Sequence, residues 1–193
     1  MKTIRMLFAA ASAAALVALA APLAGPAFAE MSGMTKMVGG AEMYPAKNII
    51  ENASNSKDHT TLVAAVKAAG LVDTLSSKGP FTVFAPTNAA FDKLPAGTVD
   101  TLLKPENKAK LSGILTYHVV AGTMTSADLK AKAMMNMGKV TLKTVNGQDL
   151  TVALKDGVWW VMDDSGHKAQ ITIADVMQSN GVIHVIDTVL MPK

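Results

Sequence analysis

Two dipeptides ten residues apart, Asn146-Gly147 and Asp156-Gly157, restrict the fold of this chain more than any other feature. Asn or Asp followed by Gly accepts positive φ at both centres of a tight turn, whose twist matches that of paired antiparallel strands. The flanking segments, 140–145, 149–154 and 158–162, are rich in β-branched and aromatic residues, so the chain after Gly138 reads as a β-meander. Asp164-Ser165-Gly166 turns it again into 168–174, where Ile171 and Ile173 alternate. Ser179-Asn180-Gly181 then leads into a final strand, 182–190, that is apolar on both faces and therefore belongs in the interior of a sheet.

Before Gly138 the apolar spacing is helical. Thr60 or Thr61 is placed to cap a helix whose Leu62, Val63, Val66 and Ala69 share one face before Gly70 stops it, and a shorter helical turn follows over 72–77. Gly79-Pro80 breaks the chain, and 81–85 reads as a strand ended by Pro86. Thr87 or Asn88 caps a short helix over 89–94; 98–103 forms another; Pro105 opens a third, with Leu111, Ile114, Leu115 and His118 on one face. Ser126 caps one further turn at 127–130. A helical first half, a β-rich second half and an early strand that needs a sheet to join predict an α+β domain, with helices packed on one side of a β-wedge or sandwich.

Lys2 and Arg5, an apolar run over 6–23 and Ala27-Phe28-Ala29 predict a signal peptide, 1–29, and hence an exported protein, periplasmic or secreted. Residues 30–44 form a Met/Gly-rich N-terminal arm with no sustained period, read as mobile or loosely packed, and 45–193 form the folded domain. With no cysteine there is neither a disulfide framework nor a lipoprotein acylation site, and no later stretch reaches transmembrane length. Removing Lys2 and Arg5 takes the basic residues from 18 to 16 against 15 acidic ones, so the net charge falls from +3 to +1. No cluster of Lys and Arg interleaved with aromatics survives, which argues against nucleic acid or a charged membrane surface as partner.

Three short segments place polar side chains inside apolar runs. In the last strand His184 shares a face with Val182, Ile186 and Leu190 while Asp187 lies on the other, so the two cannot form a dyad. His184 is expected to stay neutral and bond within the core, and Asp187 to receive backbone N–H groups of a nearby loop. Tyr117 and His118 close an amphipathic helix about 100° apart, so only one is expected to point squarely inward; His118 continues the apolar stripe and Tyr117 falls at its boundary. Pro86-Thr87-Asn88 reads first as a turn and cap.

The run Thr82-Val83-Phe84-Ala85-Pro86-Thr87-Asn88-Ala89-Ala90-Phe91, the Tyr117-His118 pair and the run Asn180-Gly181-Val182-Ile183-His184-Val185-Ile186-Asp187 resemble, in order, the signature blocks of fasciclin-like domains. The resemblance covers roughly residues 48–193 and implies a non-catalytic, extracytoplasmic adhesion or binding module. Its implied partner is a cell-surface or matrix protein or polysaccharide, and no cofactor is implied. In animal relatives an aspartate-containing motif before the closing block engages integrins; Asp175 stands at a similar position, but only the Asp-hydrophobic core of that motif is present, so the activity is not carried over. Thr87, Asn88, Tyr117, His118, Asp175 and His184 are the motif or partner-binding candidates.

Two other function classes are weighed against this. For an enzyme, the chain lacks a Gly-x-Ser-x-Gly elbow, a His-Glu-x-x-His helix, a phosphate-cradling glycine loop and cysteine, and its four histidines, His59, His118, His167 and His184, are dispersed. For a metal or small-ligand binder, Met31, Met34 and Met37 recur every three residues and thioethers suit Cu(I), although Met also packs adaptably against a partner. Trp159 and Trp160 fall on opposite faces of a strand, one toward the core and one toward the surface, where an indole can stack on a sugar ring or mark an interface. Oligomeric state is not encoded in any of these features.

Overall fold

The computed structural model describes residues 35–193, and the expected signal peptide, Met31 and Met34 lie outside the described residues. The described chain opens with a hairpin, β1 (Lys36–Val38) and β2 (Ala41–Met43), which turns at Gly39-Gly40. The described part of the N-terminal segment is thus packed rather than loose. Only one side chain per strand, Val38 and Met43, is fully buried, with Ala41 packed partly against the same core, and so short an alternation leaves no visible period in the sequence.

Six helices follow: α1 (Ile49–Ala53), α2 (Thr60–Ala69), α3 (Val72–Ser76), α4 (Asn88–Asp92), α5 (Thr98–Leu102) and α6 (Lys108–Tyr117), with β3 (Phe81–Pro86) between α3 and α4. Leu62, Ala65, Val66 and Ala69 of α2 and Leu111, Ile114 and Leu115 of α6 are buried together, the outcome of their helical spacing. After α6 come β4 (Val119–Ala121) and α7 (Ser126–Met135). The single turn expected near 127–130 is therefore a ten-residue helix, and its cap is Thr125 rather than Ser126. Thr125 accepts from the Asp128 N–H while Asp128 reaches back to the Thr125 N–H, a reciprocal capping box.

The meander consists of β5 (Lys139–Lys143), β6 (Asp149–Lys155), β7 (Val158–Met162) and β8 (Lys168–Gln178), and β9 (Gly181–Ile186) closes the fold. Seven strands form one sheet in the order β4-β3-β9-β8-β7-β6-β5. Among the described strands only β3 and β9 run parallel, from Phe81 opposite Gly181 to Pro86 opposite Ile186. A Val120–Thr144 bridge and the Val145 N–H bonded to the Val119 carbonyl at 2.8 Å draw the two ends of the sheet together. The sheet is thus a wedge curled almost into a barrel.

This curl encloses two apolar cores, one on each side of the central strands. Val83, Ala85, Ile183 and Val185 join the helical side, while Phe84 and Ile186 join Leu150, Val152, Val161 and Leu190 inside the meander. Leu129 and Ala133 of α7 seal the second core. Each such aliphatic or aromatic side chain contributes roughly 1.5–3 kcal/mol when fully buried. The centre of the sheet requires an unusually close approach: a Cβ added to Gly181 would lie 2.0 Å from the Phe81 carbonyl oxygen.

Candidate functional site

Strands β3, β8 and β9 jointly hold the loop between β4 and α7. From β3, the Thr82 hydroxyl donates to the Gly122 carbonyl at 2.6 Å and accepts the Met124 N–H at 2.8 Å. From β9, His184 donates its Nε2–H to the Met124 carbonyl at 2.8 Å. Its Nδ1 accepts the Asp175 N–H at 3.3 Å, so the ring is fixed as a single neutral tautomer. The ring also stacks on Phe84, with centroids 5.6 Å apart, and burial pushes its imidazole below the usual range.

Asp175 lies at a bulge in β8 with φ +56°, where the register with β9 shifts. The bulge turns its carboxylate toward α7, where it accepts the Ser126 N–H at 2.6 Å and the Ser126 hydroxyl. Asp175 and His184 are thus brought together around one loop, each committed to internal hydrogen bonds.

Tyr117 and His118 both enter the interior, in contrast to the expectation that only one would. The helix ends at Tyr117, and His118 already begins the passage into β4, so the two side chains diverge and their rings stand at 87°. Tyr117 reaches the meander core, where its hydroxyl donates to the Asp149 carbonyl at 2.9 Å; burial, reinforced by nearby Asp163, Asp164 and Asp149, pushes the phenol up to about 12. His118 donates Nδ1–H to the Ile114 carbonyl at 2.9 Å and accepts the Leu190 N–H on Nε2 at 3.1 Å. Burial pushes this neutral imidazole down to about 4.

Thr87 caps α4 by accepting the Ala90 N–H. Asn88 caps α2 from a distance: its Oδ1 accepts the Thr61 N–H at 3.0 Å and its Nδ2 donates to the Lys57 carbonyl at 2.8 Å. Asp187 receives the Gln170 N–H at 2.8 Å from neighbouring β8, rather than from a loop, and pairs with Lys93 at 3.1 Å. Burial works to raise its pKa, but the Gln170 N–H, Lys93 and Thr188 hold the carboxyl below its ordinary value.

Sequence reasoning passed over three further polar anchors. Asn180 accepts the Ile49 N–H at 3.0 Å and donates to the Leu75 and Ser77 carbonyls, each at 2.8 Å, tying two helices to the start of β9. Asn52 bonds Tyr44 and Gln178, and Asp163 accepts the Ser165, His167 and Met191 amides. An isolated Asn or Asp beside a turn carries no mark of such distant partners.

Of the metal-ligating candidates, the structure describes Met37. Met37 is exposed on β1, and Met134, Met135 and Met137 are exposed at the end of α7 and beyond it. Among the described residues no group of three or more His, Asp or Glu could hold a metal ion. Trp159 packs against the meander core, whereas Trp160 lies on the sheet's outer side.

Comparison with known proteins adds to this geometry. A family model described as the fasciclin domain matches residues 57–192. The chain is 47% identical over 175 residues to protein sll1483 of Synechocystis, across 91% of this chain and 90% of that protein. It is 38% identical over 186 residues to the cell surface glycolipoprotein MPB83 of Mycobacterium bovis, across 93% and 76%. Among solved structures, a FAS1 domain pair from the insect cell adhesion molecule Fasciclin I superposes with a TM-score of 0.68 at 22% identity, covering 77% of this chain and 52% of the pair.

Proposed function

The chain belongs to the fasciclin domain family, and from that premise we propose that it is an exported, non-catalytic module that binds a protein or polysaccharide at a cell surface or in the surrounding matrix. One observation carries the non-catalytic part: both ring nitrogens of His118 and of His184 are engaged in internal hydrogen bonds. A general base needs a nitrogen within reach of substrate, and these rings are consumed in holding strands and loops together. The motif residues therefore build a rigid frame, and recognition falls to the surface it supports. The surface location of MPB83 supports an extracytoplasmic site of action. Among the described residues no helix is long and apolar enough to cross a membrane.

The test is saturable binding of the purified mature protein, residues 30–193, to surface polysaccharide and envelope fractions of the producing cells. Saturable binding that disappears when the protein is heat-unfolded is the expected result. Absence of binding to every fraction would overturn the reading.

A further inference from the structure

We propose that the outer face of the β-meander is a groove for an acidic polysaccharide, with Trp160 stacking on a sugar ring and Lys139, Lys155 and Lys168 holding its anionic groups. This deepens the surface-binding reading and rests on it. The face carries a groove of about 560 Å³, whose lining includes Trp160, Met162, Met137 and the three lysines. That volume lies within the about 300–1,000 Å³ typical of small-molecule sites.

Strand register explains how the groove is built. Lys139 of β5, Ala153 of β6 and Trp160 of β7 form one cross-strand row, in which the small Ala153 separates the indole from the lysine. Lys155 pairs with Val158 and Lys168 with Met162, so these lysines flank Trp160 diagonally on its two sides. By strand geometry the three lysines stand about 8–10 Å from Trp160 across the sheet, leaving room for a ring between them. None of the three has an ion-pair partner among the described residues, and the acid lining the groove is Asp156 at the β6–β7 turn.

The resulting chemistry is an apolar, aromatic floor with a positive rim. A pyranose ring presents a C–H face to an indole and carries its charged substituents at its edge, which matches floor to face and rim to substituent. A fatty acid would need an enclosed apolar channel, whereas this groove lies open along the sheet. An added peptide strand would need a free sheet edge, whereas Trp160 stands on an interior strand.

Calorimetric titration of the purified protein tests the proposal, using oligogalacturonate, dextran sulfate, the producing cells' own acidic polysaccharide, a neutral galactan oligomer and a single-stranded oligonucleotide. At least one acidic glycan is expected to bind saturably, about tenfold or more tighter than the neutral oligomer and the oligonucleotide. Binding is expected to weaken severalfold between about 20 and about 300 mM salt. W160A and the triple variant K139Q/K155Q/K168Q are each expected to weaken it about tenfold or more with unchanged melting, while W160F retains an intermediate affinity. No saturable binding of any acidic glycan, or binding indifferent to both variants, would overturn the groove. Envelope binding separates this failure from that of the broader reading. Both variants binding envelope as the wild type does, or binding destroyed by protease treatment of the envelope rather than by glycan digestion, overturns the groove and leaves surface binding intact; a wild type that binds no envelope fraction removes the broader reading.

Discussion

Protonating His118 would convert its acceptor nitrogen into a second donor facing the Leu190 N–H, so its neutral state is a condition of the native core. Unfolded, the ring titrates near its ordinary 6.5; folded, near about 4. Across that window the unfolded chain binds more protons than the native one, so His118's contribution is complete above about 6.5 and is lost as pH falls to about 4. The contribution is on the order of 3 kcal/mol, and buried His59 and His184 shift in the same direction. Urea midpoints are expected to fall steadily between about pH 7 and about pH 4, and a flat profile would contradict the assignment. Truncating His184 to Ala removes the partners of the Met124 carbonyl and the Asp175 N–H and opens a space beside Phe84, at a cost of about 2–4 kcal/mol. Urea unfolding is expected to register that loss while envelope binding below the melting point persists; unchanged stability with lost binding would reverse the order.

Elements differ in how they carry their instructions. Thr125→Ala removes one half of the α7 capping box and is expected to cost about 1 kcal/mol, read as a lowered urea midpoint. Gly181→Ala is a different kind of change, because the obstructing atom is a backbone oxygen of β3 and cannot rotate away. It is expected to cost more than about 3 kcal/mol or to prevent soluble expression, whereas wild-type stability in this variant would show that β3 and β9 can separate. The meander was legible because Asp156-Gly157 takes the positive φ expected at both residues and Asn146-Gly147 still marks its turn, although there only Gly147 has positive φ, and α2 because five buried residues repeat at helical spacing. Helix α7 was read short because only Leu129 and Ala133 are buried in its ten residues. The burial of His184 followed from its aliphatic neighbours, but that of Tyr117 did not, since it depends on where α6 stops. The clamp joining Thr82, Asp175 and His184 was hidden because its members come from three strands and are brought together only by the sheet's register and the segment they hold.

At the scale of the molecule, β3 and β9 bury both faces, so neither core can dissolve without exposing a wall of the other. Helical circular dichroism, which comes mainly from α1–α6, and the fluorescence of the Trp159-Trp160 pair, which sits in the meander, report mostly on different sides of that wall, and their urea transitions are expected to coincide. An earlier fluorescence transition would mark the meander as an independently unfolding unit. The parallel pairing of Phe81 with Gly181 has a further consequence, in time rather than in space. A chain threaded through a pore from its N-terminus presents β3 long before β9, and closing so long an intervening loop is slow. Until the final strand is available, β3 and β4 have nothing to join them to the meander, so on the proposed export route the two halves of the sheet can unite only when passage is nearly complete.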